Sequence, residues 1–390
     1  MSAIADAERL HALDAVRAGA LLLGIVLHGA LSFVPLLPDV LWPVHDVSQH
    51  WAMGVLVYVI HVFRLSVFFL VAGLLSRALF HRLGPRAFWR NRARRIALPL
   101  LLGWPVCFAL LGAVVLWGLA KAHGGTLPPI PEETLDAGLN FLHLWFLYVL
   151  LWLYAIAWGV HGAMRVLDRR QRVVHGLDRV LRALLATPLR SLALALPIAL
   201  ALWLQPLWDW RGGVPTPGYT WLPPLAPLFV YAFVFGIGWM IDRQRALLAD
   251  VQRGWATRAA LGAMFAFVCL ALAASEFGAR VEHEPLWRFI YALAYALALV
   301  GSTLGLIGAG LRFLGAPSRP LRYLADASYW MYIAHLPLVM ALQTAWMGLG
   351  APWWLKFAAV VLASCALLLW TYRLWVRPTW IGALLNGSRR

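Results

Sequence analysis

The sequence has little charge and almost no lysine. Only 13% of its 390 residues are Asp, Glu, Lys or Arg, whereas a soluble domain is about a quarter charged. Lys121 and Lys356 are the only lysines, so the net charge of +16 comes almost entirely from arginine. This composition excludes an ordinary soluble fold, and the bilayer is the expected solvent for most of the chain.

Cysteine is scarce as well. Cys107, Cys269 and Cys365 each lie inside an apolar run, so neither a disulfide framework nor a cysteine-based metal site is expected. No His-x-x-x-His or Cys/His spacing typical of zinc occurs, and no metal is predicted. The arginines fall in alternate loops rather than on one solvated face, which excludes nucleic acid as a partner.

Long apolar runs take the place of charge, since 62% of the residues are hydrophobic. A run of about 20 apolar residues can cross a bilayer as a helix. The sequence therefore predicts an all-α polytopic membrane protein, with residues 1–390 forming a single transmembrane domain. Asp14 and Arg17 open the first run, which favours a retained first helix over a cleaved signal peptide. About ten helices are predicted, at 14–36, 53–79, 95–120, 139–161, 190–207, 222–241, 257–275, 286–310, 327–347 and 354–376.

The distribution of arginine predicts the topology. The loops near 80–95 and 162–189 are rich in arginine, and the later even-numbered loops and the C-terminal end are also basic. The opposite set of loops carries few arginines and most of the acidic residues. Because positive residues stay in the cytoplasm, both termini are expected to be cytoplasmic. The 162–189 stretch is expected to form a surface helix on anionic membrane lipid.

Several tryptophans lie in the predicted outer loops or beside them. Interfacial aromatic belts are rich in tryptophan, and this is the simpler interpretation. The alternative is a platform on which sugar rings stack. The residues are Trp42, Trp51, Trp203, Trp208, Trp210 and Trp221.

Ionisable side chains at membrane depth are costly and are therefore functional candidates. Arg17 and His28 are eleven residues apart in the first helix, on one face and separated by roughly 16 Å of helical rise. Asp14 lies one turn before Arg17, so the two side chains are expected to form an ion pair. The alternative is purely structural: the pair lies at the interface, and His28 bonds a neighbouring helix.

Other helices add further polar residues. Arg64 follows His61 by one turn and needs a partner, either a carboxylate or an anionic ligand. Ser328, Tyr332 and His335 share a face of the ninth helix, for which Asp326 is the expected N-cap. The fourth helix opens with His143. Histidine titrates near neutral pH, so four membrane histidines gathered at one cavity would suit proton transfer.

The cytoplasmic segment FWRNRARRIALPL carries a separate signal. Arg92 and Arg95 are three residues apart and are expected to share a helix face. A guanidinium group presents a planar fork that suits phosphate oxygens. The segment therefore indicates either phosphate binding or lipid-headgroup contact.

Five sequence blocks together resemble the acyltransferase-3 family of membrane acyltransferases. The second block departs from the family pattern, because Ala72 replaces the usual serine. The chain is most similar to the glucan-biosynthesis branch, which resembles succinyltransferases acting on osmoregulated periplasmic glucans. Residues 165–320 match only as apolar helices. The blocks are LDAVRAGALLLGIVLH, HVFRLSVFFLVAGLL, RNRARRIALPL, HLWFLYVLLW and ASYWMYIAHLP.

This resemblance implies a multi-pass acyltransferase of the bacterial inner membrane. The implied donor is acyl-CoA, either succinyl-CoA or acetyl-CoA, and the implied acceptor is a hydroxyl of an extracytoplasmic oligosaccharide or polysaccharide, such as a periplasmic glucan. The resemblance assigns catalysis to His28, supported by Asp14, Arg17 and His335. It assigns substrate binding to His61, Arg64, His143, Trp145 and Tyr332, and binding of the CoA phosphates to Arg92, Arg95 and Arg94.

Several alternatives stay open at this stage. His28 would act as a general base on the acceptor, or as a nucleophile through an acyl-histidine intermediate. Buried arginine and histidine also occur in transporters, so a secondary transporter or flippase for a glycan or lipid is the rival function. A lipid-binding scaffold without turnover is a third possibility.

Overall fold

The computed structural model describes residues 3–39, 41–127, 140–206, 208–217 and 221–386, with side chains from residue 11 onward. Within these ranges the regular structure is helical and contains no β-strand, which confirms the predicted all-α class. The α-helices are α1 (Ala3–Leu31), α2 (Trp51–Leu83), α3 (Pro85–Arg92), α4 (Leu98–Ala122), α5 (Trp145–Leu167), α6 (Arg172–Leu185), α7 (Pro188–Ser191), α8 (Ala195–Trp203), α9 (Leu225–Arg243), α10 (Leu247–Arg253), α11 (Trp255–Ala273), α12 (Phe277–His283), α13 (Pro285–Phe313), α14 (Arg319–Trp346), α15 (Trp353–Thr371) and α16 (Trp380–Asn386).

Eight helical segments of the described chain are long and apolar enough to cross a membrane. They coincide with eight of the ten predicted spans, and the polytopic prediction is confirmed. The segments are His11–Leu31, Trp51–Leu83, Pro85–Ala122, Leu142–Leu167, Leu225–Arg243, Trp255–Ala273, Pro285–Phe313 and Trp353–Val376.

The described residues of the other two predicted spans are mostly helical, but neither span forms a helix that is both long enough and apolar enough to cross a membrane. The span at 190–207 corresponds to the short apolar segment Pro188–Trp203. The span at 327–347 lies within α14, which begins at Arg319 and carries charged residues in its first turns. The prediction that Asp326 caps this helix is wrong, because the helix starts earlier. Ser318 is the N-cap, and its Oγ accepts a hydrogen bond from Leu321 N at 3.4 Å.

The third predicted span also begins earlier than expected. Pro85 occupies the first turn of α3, a position that proline favours. A π-helical turn, Ala93–Ala97, then joins α3 to α4. The basic block is therefore helical throughout, and the helix begins ten residues before the predicted start of the span at residue 95. Such π-turns within helices are frequently found at functional sites.

Ion pairs mark the two ends of the helices. At one end, Arg77 bonds Asp242 at 2.9 Å and Arg243 bonds Asp178 at 2.7 Å. At the other end, Lys356 bonds Asp46 at 2.5 Å, and both side chains are almost fully buried. We call these the Arg-rich end and the opposite end. The predicted grouping of the loops and the identity of the cytoplasmic side stay predictions.

Helix packing brings the polar side chains of three helices together. The helix α1 packs against both α2 and α14, and α2 packs closely against α9. In the α2–α9 contact, a Cβ added at Gly73 or Gly238 would collide with the backbone of the facing helix. Glycine thus permits a backbone approach of the kind common between membrane helices. This packing places His28, Arg64 and His335 around one small space.

The helix predicted on the lipid surface is α6, at the Arg-rich end. It buries Asp178, Leu181 and Leu185 against the protein. Its other face exposes Leu177 and Val180 together with several arginines. The amphipathic character is as predicted, and contact with anionic lipid stays a prediction.

The outer tryptophans do not form a uniform belt. Trp42, Trp208 and Trp210 are at most 4% exposed, and Trp51 and Trp221 are 65% and 74% exposed. The belt interpretation is therefore wrong for the buried three. These rings also offer no open platform for a sugar, because they form part of the packed protein interior.

Candidate functional site

Three of the four membrane histidines meet at one cavity. His28 comes from α1, His335 from α14, and His143 from a 3₁₀ turn, Leu142–Leu144, directly before α5. His28 Nδ1 lies 2.9 Å from His335 Nε2, and the His143 and His335 ring centroids are 5.0 Å apart. The cavity holds about 50 Å³ and is also lined by Arg64, Trp145, Phe146 and Tyr332, among others.

His61 does not join this group. It lies against the Val214 backbone and lines neither of the cavities described below. The prediction that four histidines surround one cavity is therefore wrong for His61. The reason is geometric: His61 and Arg64 are one turn apart, but only Arg64 faces α1 and α14.

Hydrogen bonds to carbonyl groups fix the tautomers of the ring pair. His335 Nδ1 lies 2.7 Å from Tyr332 O. A carbonyl oxygen only accepts, so Nδ1 carries the proton and His335 Nε2 is the acceptor. His28 Nδ1 must then donate to His335 Nε2. The remaining nitrogen, His28 Nε2, therefore carries a lone pair rather than a proton, which suits a base or a nucleophile.

The same reasoning applies to His143. Its Nε2 lies 2.9 Å from Ile333 O, so Nε2 donates and Nδ1 holds the lone pair. The ring is 8% exposed. Nδ1 is buried and has no hydrogen-bond partner among the described residues. The backbone is anchored as well, because Tyr332 Oη donates to His143 O at 2.7 Å.

Trp42 and Gln343 cover the far side of His28, and sequence reasoning missed both roles. The Trp42 indole stacks on the imidazole with 5.8 Å between ring centroids. Its Nε1 donates to Gln343 Oε1 at 3.1 Å and to Ser32 Oγ at 3.0 Å. Gln343 Nε2 in turn donates to the carbonyls of His28 and Gly29 at 3.0 Å. No spacing pattern links a loop tryptophan to a glutamine some 300 residues later.

Arg64 lies in the cavity without a carboxylate. No described Asp or Glu forms an ion pair with it, and its buried Nε has no hydrogen-bond partner among the described residues. Gly24 makes room for this side chain, because a Cβ at position 24 would lie 2.5 Å from Arg64 Nη1. Of the two partners that the sequence allowed, an anionic ligand is thus favoured over a protein carboxylate.

A second cavity lies on the side of the Arg-rich end. It holds about 210 Å³, and Arg17, Arg92 and Arg95 all line it. The cavity lining contains these three arginines and one acidic residue, Asp326, so cationic side chains outnumber acidic ones. The two cavities share the side chains of Leu21, Phe68, Phe146 and Tyr332 as walls. The arginine cluster and the histidine cluster are therefore direct neighbours.

The arginines of the basic block differ in their placement. Arg92 lies over the rings of Phe88 and Tyr154, each 5.5 Å from its Cζ, and its buried Nε has no described partner. Arg95 lines the cavity, and its carbonyl accepts a bond from Tyr329 Oη at 2.7 Å. Arg94 is exposed and lines neither cavity, because adjacent helical residues point in different directions. The structure thus groups Arg92 with Arg95 but separates Arg94 from both.

The predicted ion pair in α1 is present. Arg17 Nη2 lies 3.2 Å from Asp14 Oδ1, and both side chains are partly exposed. Arg17 lines the second cavity beside Arg92 and Arg95. Its position makes it a member of the arginine cluster as well as a partner of Asp14. Among the described residues, no group of three or more His, Cys, Asp or Glu side chains is arranged to hold a metal ion.

The model of the acyltransferase-3 family, described as an acyltransferase domain, matches residues 10–373. The chain belongs to the acyltransferase-3 family. Membership in it favours an enzyme over the transporter or flippase alternative.

Curated relatives of this acyltransferase share one description. The chain is 24% identical over 341 residues to the Glucans biosynthesis protein C of Salmonella paratyphi B, and 25% identical over 341 residues to that of Salmonella heidelberg. Each comparison covers 86% of this chain and 83% of the relative. No solved structure matches the chain significantly.

One element of the second cavity lies beyond the matched family residues. The short C-terminal helix α16 contributes Leu385 and Asn386 to the cavity wall. Asn386 Nδ2 donates to Asp326 O at 2.9 Å and to Tyr372 Oη at 3.1 Å. No sequence pattern indicated this contribution, because only the arginines near the C-terminus stood out.

Proposed function

We propose that this acyltransferase resides in a bacterial inner membrane and moves an acyl group from cytoplasmic acyl-CoA to a hydroxyl of an extracytoplasmic glycan. One observation carries the proposal. An arginine-lined cavity toward the Arg-rich end shares four wall residues with a cavity lined by three histidines. A donor with an anionic end and a reactive end fits this pair of cavities.

The arginine cluster is the proposed site for the CoA phosphates. Arg17, Arg92 and Arg95 line the same cavity, and the unpartnered Arg92 Nε calls for a hydrogen-bond acceptor there. Bonds from guanidinium to phosphate are charge-assisted and therefore strong. The pantetheine arm would then pass between Leu21, Phe68 and Phe146. The helical rise from Arg17 to His28 is roughly 16 Å, a distance that an extended pantetheine arm can span.

His28 is the proposed catalytic residue. Its Nδ1–H is held by His335, so Nε2 is left to accept a proton. In direct transfer, Nε2 takes the proton of the acceptor hydroxyl, the oxygen attacks the thioester carbonyl, and the CoA thiolate leaves. In the alternative route, Nε2 attacks the carbonyl itself and carries the acyl group.

The proposed acyl group bears a carboxylate. Arg64 lacks a protein carboxylate and has a buried nitrogen without a described partner. A free carboxylate on the acyl chain, as in succinyl, would supply the missing anion, and acetyl would not. The glycan acceptor is inferred from the description of the relatives as glucans biosynthesis proteins.

Thioester cleavage by the purified protein is the first test. We expect the wild type to release CoA from succinyl-CoA, and His28→Ala to lose this activity. His175→Ala, whose side chain is 60% exposed on α6, serves as the matched histidine control. Unchanged release in folded His28→Ala would remove His28 from the chemistry.

The acceptor needs a separate measurement. Mass spectrometry of periplasmic glucans from cells with and without the protein would reveal an added acyl mass. A difference equal to one succinyl group supports both the donor and the acceptor. If the purified protein cleaves succinyl-CoA but the glucan masses are identical in cells with and without it, a periplasmic glucan is not the acceptor.

A further inference from the structure

By the hydrogen-bond assignment above, two ring nitrogens of the histidines that line the cavity carry lone pairs rather than protons. One is His28 Nε2, left free by the Tyr332–His335–His28 chain of hydrogen bonds. The other is His143 Nδ1, left free because Nε2 donates to Ile333 O. Direct transfer needs one base, so the second lone pair calls for a different explanation.

The placement of His143 differs from that of an ordinary packed histidine. Leu142, directly before it, has a φ of 54°, a left-handed conformation that is uncommon for a residue with a side chain. Asn140 Oδ1 accepts a bond from Leu142 N at 2.8 Å, and Trp104 Nε1 donates to Asn140 O at 2.8 Å. Backbone strain of this kind persists where surrounding structure holds it, and it clusters at functional sites.

His143 also lies toward the side from which an outer acceptor would come. Its turn precedes the start of α5, whereas the end of α5 reaches Arg165 and Leu167 at the Arg-rich end. His28 similarly lies in the last turn of α1, away from that end. The two free nitrogens are therefore near the opposite end, with His335 in contact with both rings.

We propose that His143 is a second catalytic residue, whose Nδ1 takes the proton from the acceptor hydroxyl while His28 Nε2 carries the acyl group. This inference rests on the proposed acyl-CoA-dependent transfer. It selects the two-step route over direct transfer, because each of the two steps then has its own ring nitrogen.

The steps balance as follows. His28 Nε2 attacks the thioester carbonyl, the carbon–sulfur bond breaks, and CoA leaves as a thiolate. The Nδ1 proton of the acylated His28 moves to His335 Nε2, which gives a neutral acyl-imidazole. The acceptor oxygen then attacks the acyl carbon as its proton passes to His143 Nδ1, and the bond from His28 Nε2 to carbon breaks. His335 returns its proton to His28, His143 releases its proton to water, and the CoA thiolate that left in the first step takes a proton from water, so the sum is acyl-CoA plus alcohol giving ester plus CoA thiol.

Substitution by glutamine separates the two functions of His143. The glutamine side-chain amide reaches the position of Nε2 and can still donate to Ile333 O, but it offers no base at the position of Nδ1. In His143→Gln, with succinyl-CoA as donor, we expect the first burst of CoA release to persist. A succinyl group should accumulate on the peptide that contains His28, and transfer to a short glucan oligosaccharide should fall about 100-fold.

Hydroxylamine provides a readout that a structural defect would not reproduce. It is a strong neutral nucleophile that attacks an acyl-imidazole without a general base. Turnover of His143→Gln with hydroxylamine should therefore match the wild type, although turnover with the glucan oligosaccharide is lost. His143→Asn, which places an amide near Nδ1, should show the same selective loss, and it serves if the glutamine variant does not fold.

Three results would overturn the inference. The first is loss of the initial CoA burst in a folded His143 variant. The second is an equal loss of turnover with hydroxylamine and with the glucan oligosaccharide. The third is a wild type that releases CoA only when the oligosaccharide is present and never carries a succinyl group. A wild type that releases no CoA at all would instead refute the proposed function, and this inference with it.

Discussion

The indole ring of Trp42 lies nearly parallel to the imidazole of His28, with an angle of 11° between the ring planes. On its other edge His28 bonds His335 of α14, so the ring is held between α14 and the loop that carries Trp42. The loop itself is anchored by the buried pair of Asp46 and Lys356. Trp42 and His335 thus cover two sides of the His28 ring, which lines the histidine cavity.

Removal of the Trp42 ring should admit water to His28. In Trp42→Ala we expect more hydrolysis of acyl-CoA in the absence of acceptor, because the indole no longer covers the acylated or thioester-bound site. A buried tryptophan truncated to alanine also costs about 3–5 kcal/mol of unfolding free energy. CoA release without acceptor and thermal unfolding measure the two effects.

Two further variants support this test. Trp42→Phe keeps an aromatic ring over His28 but loses the bonds to Ser32 and Gln343, and we expect an intermediate rate of hydrolysis. Trp51→Ala, at a position that is 65% exposed, is the control and should leave hydrolysis unchanged. If folded Trp42→Ala hydrolyses acyl-CoA at the wild-type rate, the indole does not exclude water.

A methyl group added at Gly24 should displace Arg64. The Cβ of Gly24→Ala would lie 2.5 Å from Arg64 Nη1 and 3.6 Å from His335 Nε2, so the guanidinium must move. We expect a lower kcat/KM for succinyl-CoA. Gly19→Ala is the matched control in the same helix, because nothing lies within 4 Å of its added Cβ. Equal activities of the two variants would mean that the position of Arg64 is not critical.

The arginine cluster should govern the affinity for the donor. A charge-assisted hydrogen bond contributes about 1.5–3 kcal/mol, so Arg92→Gln and Arg95→Gln should each weaken acyl-CoA binding by roughly tenfold or more. The exposed Arg90 offers a control in the same block. Titration with a nonhydrolysable acyl-CoA analogue measures the Kd. Equal weakening by Arg90→Gln would indicate a nonspecific effect of charge rather than a defined phosphate site.

Much of the helical architecture was predictable because it follows from the bilayer. Apolar runs located eight membrane-length segments. The spacing of Arg17 and His28 placed both on α1 with the Asp14 pair present. These signals are local, so a single segment carries each of them.

The remaining features depend on contacts between distant segments. Gln343 bonds the carbonyl of His28, and Trp42 bonds Gln343, yet neither residue has a local pattern that indicates this role. Spacing places His61 and Arg64 on one face of α2, and it is the packing against α1 and α14 that distinguishes them. The π-turn at Ala93–Ala97 and the wall provided by α16 were missed for the same reason. Helix periodicity cannot reveal which faces meet.

Arg64 should determine which acyl group is transferred, at a cost to stability. Its guanidinium lacks a described carboxylate partner, so a succinyl carboxylate would gain a charge-assisted bond that an acetyl group cannot form. In Arg64→Met we expect kcat/KM for succinyl-CoA to fall roughly 10- to 100-fold, while that for acetyl-CoA changes little. Steady-state kinetics with the two donors give the ratio.

Because an unpaired charge at membrane depth is unfavourable, the donor-free Arg64→Met protein should also unfold at a higher temperature than the wild type. Arg64→Lys keeps the charge without the planar fork and should retain part of the preference for succinyl-CoA. A parallel fall for both donors in folded Arg64→Met would exclude recognition of a carboxylate and would leave Arg64 with a role common to all acyl groups.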